Sequence, residues 1–110
     1  MKWFRKLWSW VFDRTPDLVL RWHEGDTPPN DIKPRELVIA REGDEFWAAA
    51  FLCPCKCGER IELALFPEAK PSWKLTNAAS KSPTLYPSVW RKVGCKSHFW
   101  VRDGKIKWCR

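Results

Sequence analysis

Six consecutive residues, Cys53-Pro54-Cys55-Lys56-Cys57-Gly58, constrain this chain more than any other stretch. Three thiols at alternate positions would point to both faces of a strand, so a shared core role explains them poorly. A second group follows near the C-terminus, where Cys95 and His98 have the C-x-x-H spacing. Small domains build tetrahedral zinc sites from close-spaced ligands on two separate turns. The sequence therefore predicts one Zn²⁺ ion held by four of the five residues Cys53, Cys55, Cys57, Cys95 and His98.

The spacing leaves open which thiol of the first group is not a ligand. Cys55 and Cys57 lie nearest Gly58, whose freedom at positive φ suits a tight ligand turn, and Cys53 with Cys57 is the alternative pair. Redox chemistry and burial as small apolar side chains are competing interpretations of these thiols. Cys109, the penultimate residue, is predicted to be a free thiol rather than a ligand.

The length and composition of the chain favour one small domain that lacks a large core. A chain of 110 residues buries a modest fraction of its surface, so a metal cross-link would help to stabilise it. No apolar run approaches the roughly 18 residues of a membrane span, and no secretory leader is recognisable. Clustered thiols in such a chain are typical of metal binding in the reducing cytoplasm, which is the predicted location.

The chain is expected to divide into two parts. Residues 1–15 are predicted to be a Trp-rich amphipathic helix, because most apolar side chains between positions 2 and 14 fall on one side at about 100° per residue. Such a stripe packs on its own domain, docks to a partner protein or lies on a membrane surface. Residues 16–110 are predicted to form a single zinc-stabilised β domain.

Alternating apolar residues predict about seven short strands in the second part. Two hairpins are expected, one pairing residues 36–40 with 46–52 and one pairing 99–101 with 106–108. Asp103-Gly104 in the second is the strongest hairpin signal in the chain. The predicted fold is mainly β, as a small antiparallel sheet or an open barrel whose turns carry the metal ligands.

A serine nucleophile has two candidates. Ser97 adjoins His98, and Ser88 follows Pro87. Catalysis requires a base within hydrogen-bond distance of the hydroxyl, and adjacent residues of a strand point to opposite faces, so Ser97 and His98 would pair only across a turn. A surplus thiol, or a zinc-bound water beside Glu59, would be other routes to hydrolysis.

The net charge of +7 permits acidic partners without choosing among them. Positions 91 to 110 contain seven Lys or Arg and one acidic residue, and Trp90, Trp100 and Trp108 are interleaved with them. Basic residues with exposed aromatics can bind single-stranded nucleic acid. A solvated strand face with the Trp side chains on the core side is the interpretation that we favour.

Several segments together resemble a family of small bacterial proteins of unknown function. The family pattern is roughly C-x-C-G-C-G, W-x-L, L-x-P-S-[IV] and C-x-S-H-[FY]-[FW], and the resemblance covers about residues 36–108. Here Lys56 replaces the first glycine of the pattern. The positions that match the pattern and carry chemistry are Cys53, Cys55, Cys57, Cys95, Ser97 and His98, followed by Ser88.

The resemblance implies a function beside bacterial ubiquitin-like proteins and their conjugating enzymes, in a pathway of phage defence. The leading prediction is a zinc-binding component of that pathway acting as a peptidase that processes or removes the modifier, with Ser97 as the candidate nucleophile. The alternatives are a non-catalytic zinc-binding adaptor that docks through the Trp-rich helix and a basic nucleic-acid-binding module.

Overall fold

The computed structural model describes residues 17–80 and 82–109, and within them the chain forms two four-stranded sheets. The first contains β1 (Val19–Glu24), β2 (Glu36–Glu42), β3 (Glu45–Leu52) and β4 (Arg60–Ala64), in that spatial order. The second contains β5 (Lys74–Thr76), β6 (Thr84–Trp90), β7 (His98–Arg102) and β8 (Lys105–Trp108), also in order. A short 3-10 helix, Ala78–Ser80, joins β5 to β6. The predicted helix of residues 1–15 lies outside the described residues.

The mainly β prediction and both hairpins are confirmed. Strands β2 and β3 pair antiparallel up to Glu42 opposite Glu45, and β7 and β8 up to Arg102 opposite Lys105. Gly43 and Gly104 occupy these turns with φ of 60° and 75°, a left-handed conformation that glycine adopts without steric cost.

The arrangement of the strands corrects the prediction of one antiparallel sheet or open barrel. The described residues form two sheets with eight strands instead of about seven, and β1 pairs parallel with β2, with Leu20 opposite Leu37. A parallel pair needs a long connection that returns the chain to the starting end of the first strand. Residues 25–35 provide it, and apolar alternation carries no information about strand direction.

The two sheets pack face to face on one hydrophobic core. Phe51 of β3 meets Phe99 of β7 edge to face, with ring centroids 6.2 Å apart and an interplanar angle of 79°. Leu37 and Leu85, one from each sheet, are fully buried in the same cluster. The alternating pattern of the strands thus places one face of each sheet in a common interior.

Strand β2 is buried on both faces. Val38 and Ala40 are as fully buried as Leu37 and Ile39, which point the opposite way. The connection between β1 and β2 reaches the far edge of the sheet, where Arg60 of β4 donates a hydrogen bond of 2.6 Å to the Pro29 carbonyl. This connection covers the outer face of β2, and a strand that is buried on both faces has a continuous apolar sequence.

No helix within residues 17–80 and 82–109 is long and apolar enough to cross a lipid bilayer.

Candidate functional site

Two turns on the same end of the sandwich carry the thiol groups. The first follows β3 and is closed by a 2.8 Å hydrogen bond from the Cys53 amide to the Glu59 carbonyl. The second connects β6 to β7 and is closed by a 2.8 Å bond from the Arg91 amide to the Ser97 carbonyl. The Glu59 and Arg91 side chains form an ion pair that joins the two turns directly.

The two turns bring four thiols together. The sulfur atoms of Cys53, Cys55, Cys57 and Cys95 all lie within 4.8 Å of one another. The Cys53 sulfur is 3.3 Å from that of Cys55 and 3.6 Å from that of Cys95. A tetrahedral zinc ion with bonds of about 2.3 Å would separate its sulfur ligands by about 3.8 Å. The four cysteines therefore form a group that can hold a metal ion.

The backbone of each turn bends sharply through left-handed residues. Lys56 and Gly58 have φ of 71° and 84° in the first turn, and Gly94 and Lys96 have φ of 76° and 56° in the second. Residues other than glycine adopt this conformation at a cost of roughly 1–2 kcal/mol. The family pattern has glycine where Lys56 stands, and the positive φ is a physical reason for that preference.

The four thiols differ in acidity because their surroundings differ. The Ser97 hydroxyl donates a 3.3 Å hydrogen bond to the Cys95 sulfur, which together with the Ser97 amide lowers the pKa of Cys95 to about 6. Hydrogen bonds from Ser97 and then from Cys53 lower the pKa of Cys55. Burial raises the pKa of Cys53 to about 12. Metal ligation requires thiolates, and the lowered pKa values of Cys95 and Cys55 favour that form.

His98 lies apart from the sulfur atoms. Its Nε2 atom is 2.9 Å from the hydroxyl oxygen of Ser88, a normal hydrogen-bond distance. Ser88 is on β6 and His98 opens β7, the neighbouring strand, where it faces Trp90. The C-x-x-H spacing is typical of a metal ligand at position 98, but the ring belongs to a serine–histidine pair.

Aromatic side chains fix this pair. The Trp90 ring stacks on the His98 imidazole with centroids 5.0 Å apart and planes inclined by 15°. The Trp73 indole N–H donates to the Ser88 carbonyl at 3.3 Å. Ser88 lies between Leu85 and Val89, where the pairing of β6 with β7 shifts its register. Both members of the pair are half-buried.

The remaining predicted residues fall elsewhere. Ser97, the predicted nucleophile, directs its hydroxyl to the Cys95 sulfur rather than to His98. Cys109, the predicted free thiol, follows β8 and lies outside the four-sulfur group. The sequence does place Ser88 on the same face of its strand as Trp90, and His98 on the same face of the next strand as Trp100, because each pair is two residues apart. Their pairing depended on a register that alternation does not specify.

A comparison with protein families assigns the chain. A family model described as "Bacterial ubiquitination-like system serine protease (BubE)" matches residues 24–109, which include the four cysteines and the Ser88–His98 pair. No curated protein and no solved structure matches the chain. The protein therefore belongs to the BubE family, which is part of a bacterial ubiquitination-like system.

Proposed function

We propose that this protein is a serine peptidase that processes or removes the ubiquitin-like modifier of its pathway, with Ser88 as nucleophile and His98 as general base. The observation that carries the proposal is the 2.9 Å contact between the Ser88 hydroxyl and His98 Nε2, in a chain whose family is described as a serine protease. Ser88 replaces Ser97 as the candidate nucleophile because only the Ser88 hydroxyl meets an imidazole among the described residues.

The chemistry follows from this pair. His98 accepts the hydroxyl proton at Nε2 while the Ser88 oxygen attacks the substrate carbonyl. The imidazolium then gives the proton to the leaving amine, which departs and leaves an ester of Ser88 with the substrate. A water molecule, deprotonated by the same imidazole, hydrolyses the ester and restores the serine.

Trp90 takes the place of a third catalytic group. Within residues 17–80 and 82–109 no carboxylate forms a hydrogen bond or ion pair with the His98 ring. The stacked face of Trp90 instead fixes the plane of the imidazole. An aromatic face also attracts a cation, so it stabilises the imidazolium that forms when His98 accepts the proton.

The four-cysteine site would hold Zn²⁺ in a structural role. Thiolate groups favour zinc, and four protein ligands leave no coordination position for a water or substrate. Glu59, which a zinc-bound water would need as its partner, is paired with Arg91. The ion would connect the turn after β3 to the turn that leads into His98, and so support the position of the base.

The proposed setting is a cytoplasmic pathway of phage defence. The thiol-rich site favours a reducing compartment, and the resemblance described above implies the defence setting. The ubiquitin-like modifier and its conjugating enzymes would be the partners.

Two serine variants test the proposal. The assay follows cleavage of a ubiquitin-like modifier from the same pathway that carries a C-terminal extension. Ser88→Ala is expected to lower kcat/KM by roughly a thousandfold or more, and His98→Ala by a similar factor. Ser97→Ala, the matched control, is expected to retain cleavage because its hydroxyl faces a sulfur. Full cleavage by Ser88→Ala, with none by Ser97→Ala, would refute the assignment.

A fluorophosphonate probe gives a second readout that does not depend on the modifier. This reagent forms a covalent bond with an activated serine. Mass spectrometry is expected to find the label on Ser88 in the wild-type protein and no label in His98→Ala.

A nucleic-acid-binding function has a specific observation in its favour. Tyr86 and Trp90 expose 64% and 59% of their surface on the outer face of the second sheet, and the Arg102 guanidinium lies 4.4 Å from the Trp100 ring centroid. Bases can stack on such rings while cations contact phosphates. Quenching of tryptophan fluorescence by an oligothymidine that weakens steeply with salt would support this function, and absence of quenching at low salt would exclude it.

A further inference from the structure

The outer edge of β4 carries backbone groups that no other strand within residues 17–80 and 82–109 uses. The bonds from the Cys53 amide to the Glu59 carbonyl, and from the Leu65 amide to the Trp47 carbonyl, fix the phase of the β3–β4 ladder. Odd-numbered residues of β4 therefore bond to β3, and the even-numbered ones, Arg60 and Glu62, direct their N–H and C=O groups away from it. Within the described part of the chain neither residue has a further backbone partner.

The second half of β6 presents a similar edge. Strand β5 pairs with positions 84–86 and not beyond. Val89 faces Phe99, and the Arg91 amide bonds to the Ser97 carbonyl, so Trp90 between them turns its N–H and C=O groups away from β7. The open side of β6 thus begins next to Ser88.

These two edges face each other across a groove of about 340 Å³. Residues 60–63 line one wall and residues 89–93 line the other. Trp73 also lines the groove and bridges its walls, because its amide donates to the Ala64 carbonyl at 2.8 Å and its indole N–H to the Ser88 carbonyl at 3.3 Å. The groove therefore lies directly beside the strand that carries the nucleophile.

The charges of the groove restrict its occupant. Arg60 is paired with Glu62, and Arg91 with Glu59. Lys92 is exposed and lies 5.2 Å from the Trp90 ring centroid, with no carboxylate partner in the described residues. The remaining positive charge favours a neutral or acidic segment over a basic one.

We propose that the groove binds an extended segment of the polypeptide substrate as an added strand on β4. Unpaired edge groups in a row are a template for such a strand. Main-chain hydrogen bonds to Arg60 and Glu62 hold the segment, and Trp90 forms the wall between it and the His98 ring. The inference rests on the proposed peptidase function, and it names the part of the substrate that is recognised: an extended stretch of backbone, not a folded surface.

Two variants at one position test the strand addition. Glu62→Pro removes the outward N–H and places a ring on the edge, without loss of a bond to β3. Glu62→Ala removes the same carboxylate but keeps the N–H, so the difference between the two isolates the backbone donor. With the extended ubiquitin-like modifier as substrate, Glu62→Pro is expected to have a kcat/KM roughly tenfold or more below that of Glu62→Ala, mainly through KM. Equal values in two folded variants would overturn the inference.

Fluorophosphonate labelling of Ser88 separates this outcome from a failure of the peptidase assignment. The small probe does not need the groove, so Glu62→Pro is expected to label at the rate of Glu62→Ala. Slow labelling of both Glu62→Pro and the wild type would count against the Ser88–His98 chemistry and not against the groove.

Hydrogen exchange tests the groove even where Glu62→Pro does not fold. The Ser88→Ala protein is mixed with the same uncleaved modifier, and amide exchange is followed by mass spectrometry. The amides of Arg60 and Glu62 are expected to become protected by at least tenfold, whereas those of the distant turn at positions 43–44 are not. Unchanged exchange at positions 60–63 under saturating modifier would overturn the proposal.

Discussion

Removal of the proposed Zn²⁺ ion should destabilise the protein strongly, because in the described residues the sulfur atoms make most of the side-chain contacts between the two cysteine turns. Cys55 and Cys57 are exposed, as are most residues of both turns, and Val93 exposes 80% of its surface. Apart from the Glu59–Arg91 pair, the turns are joined mainly through sulfur. A chelator therefore removes a cross-link and little apolar burial.

Cys53 and Cys95 are 42 positions apart, so an ion that binds both joins distant parts of the chain and binds the folded state. Such an ion stabilises the folded state by RT ln(1 + [L]/Kd), which is about 4 kcal/mol when the free ion is at roughly a thousandfold its Kd. For a domain of this size, a loss of about 4 kcal/mol lowers Tm by roughly 15 to 30 °C.

Circular dichroism melts with and without a chelator, together with metal analysis of the purified protein, check this prediction. Cys55→Ala should reproduce the effect of the chelator, because it removes an exposed ligand and no core contact. Cys109→Ala is the matched control, since Cys109 lies outside the sulfur group. Melting temperatures of the stripped and loaded proteins within about 3 °C of each other, or loss of the metal from Cys109→Ala, would contradict this prediction.

Two further predictions concern the turn and the base. Lys56→Gly should raise the free energy of unfolding of the metal-loaded protein by about 1 kcal/mol, because φ at position 56 is 71°. Gly58→Ala should lower it, because φ at position 58 is 84°. Urea titration measures both changes, and changes of the same sign would contradict the prediction. Trp90→Ala should lower kcat at saturating substrate by roughly threefold to fivefold through the loss of the ring that faces His98. Trp90→Phe should retain most of the rate, so equal rates for the Ala and Phe variants would show that stacking does not support the base.

The sequence by itself determined the class of fold and the presence of the thiol site. Alternation of apolar residues is a local property, so the strands and both hairpins could be predicted. The C-x-C-x-C run and Cys95 indicated a metal site because thiols at such spacing suit tetrahedral ligation and do not suit a shared core. The turn residues at positions 43 and 104 could also be identified, since a positive φ favours glycine.

Only the tertiary structure decided how these parts combine. The parallel pairing of β1 with β2 depends on the path of residues 25–35 across the sheet, and the division into two sheets depends on which strands share a core. His98 fits a C-x-x-H pair by spacing, yet the irregular register of β6 on β7 places its Nε2 atom 2.9 Å from Ser88. Local patterns fix which way a side chain points along its own strand, whereas the contacts between strands are set by register, which arises only when the whole core packs.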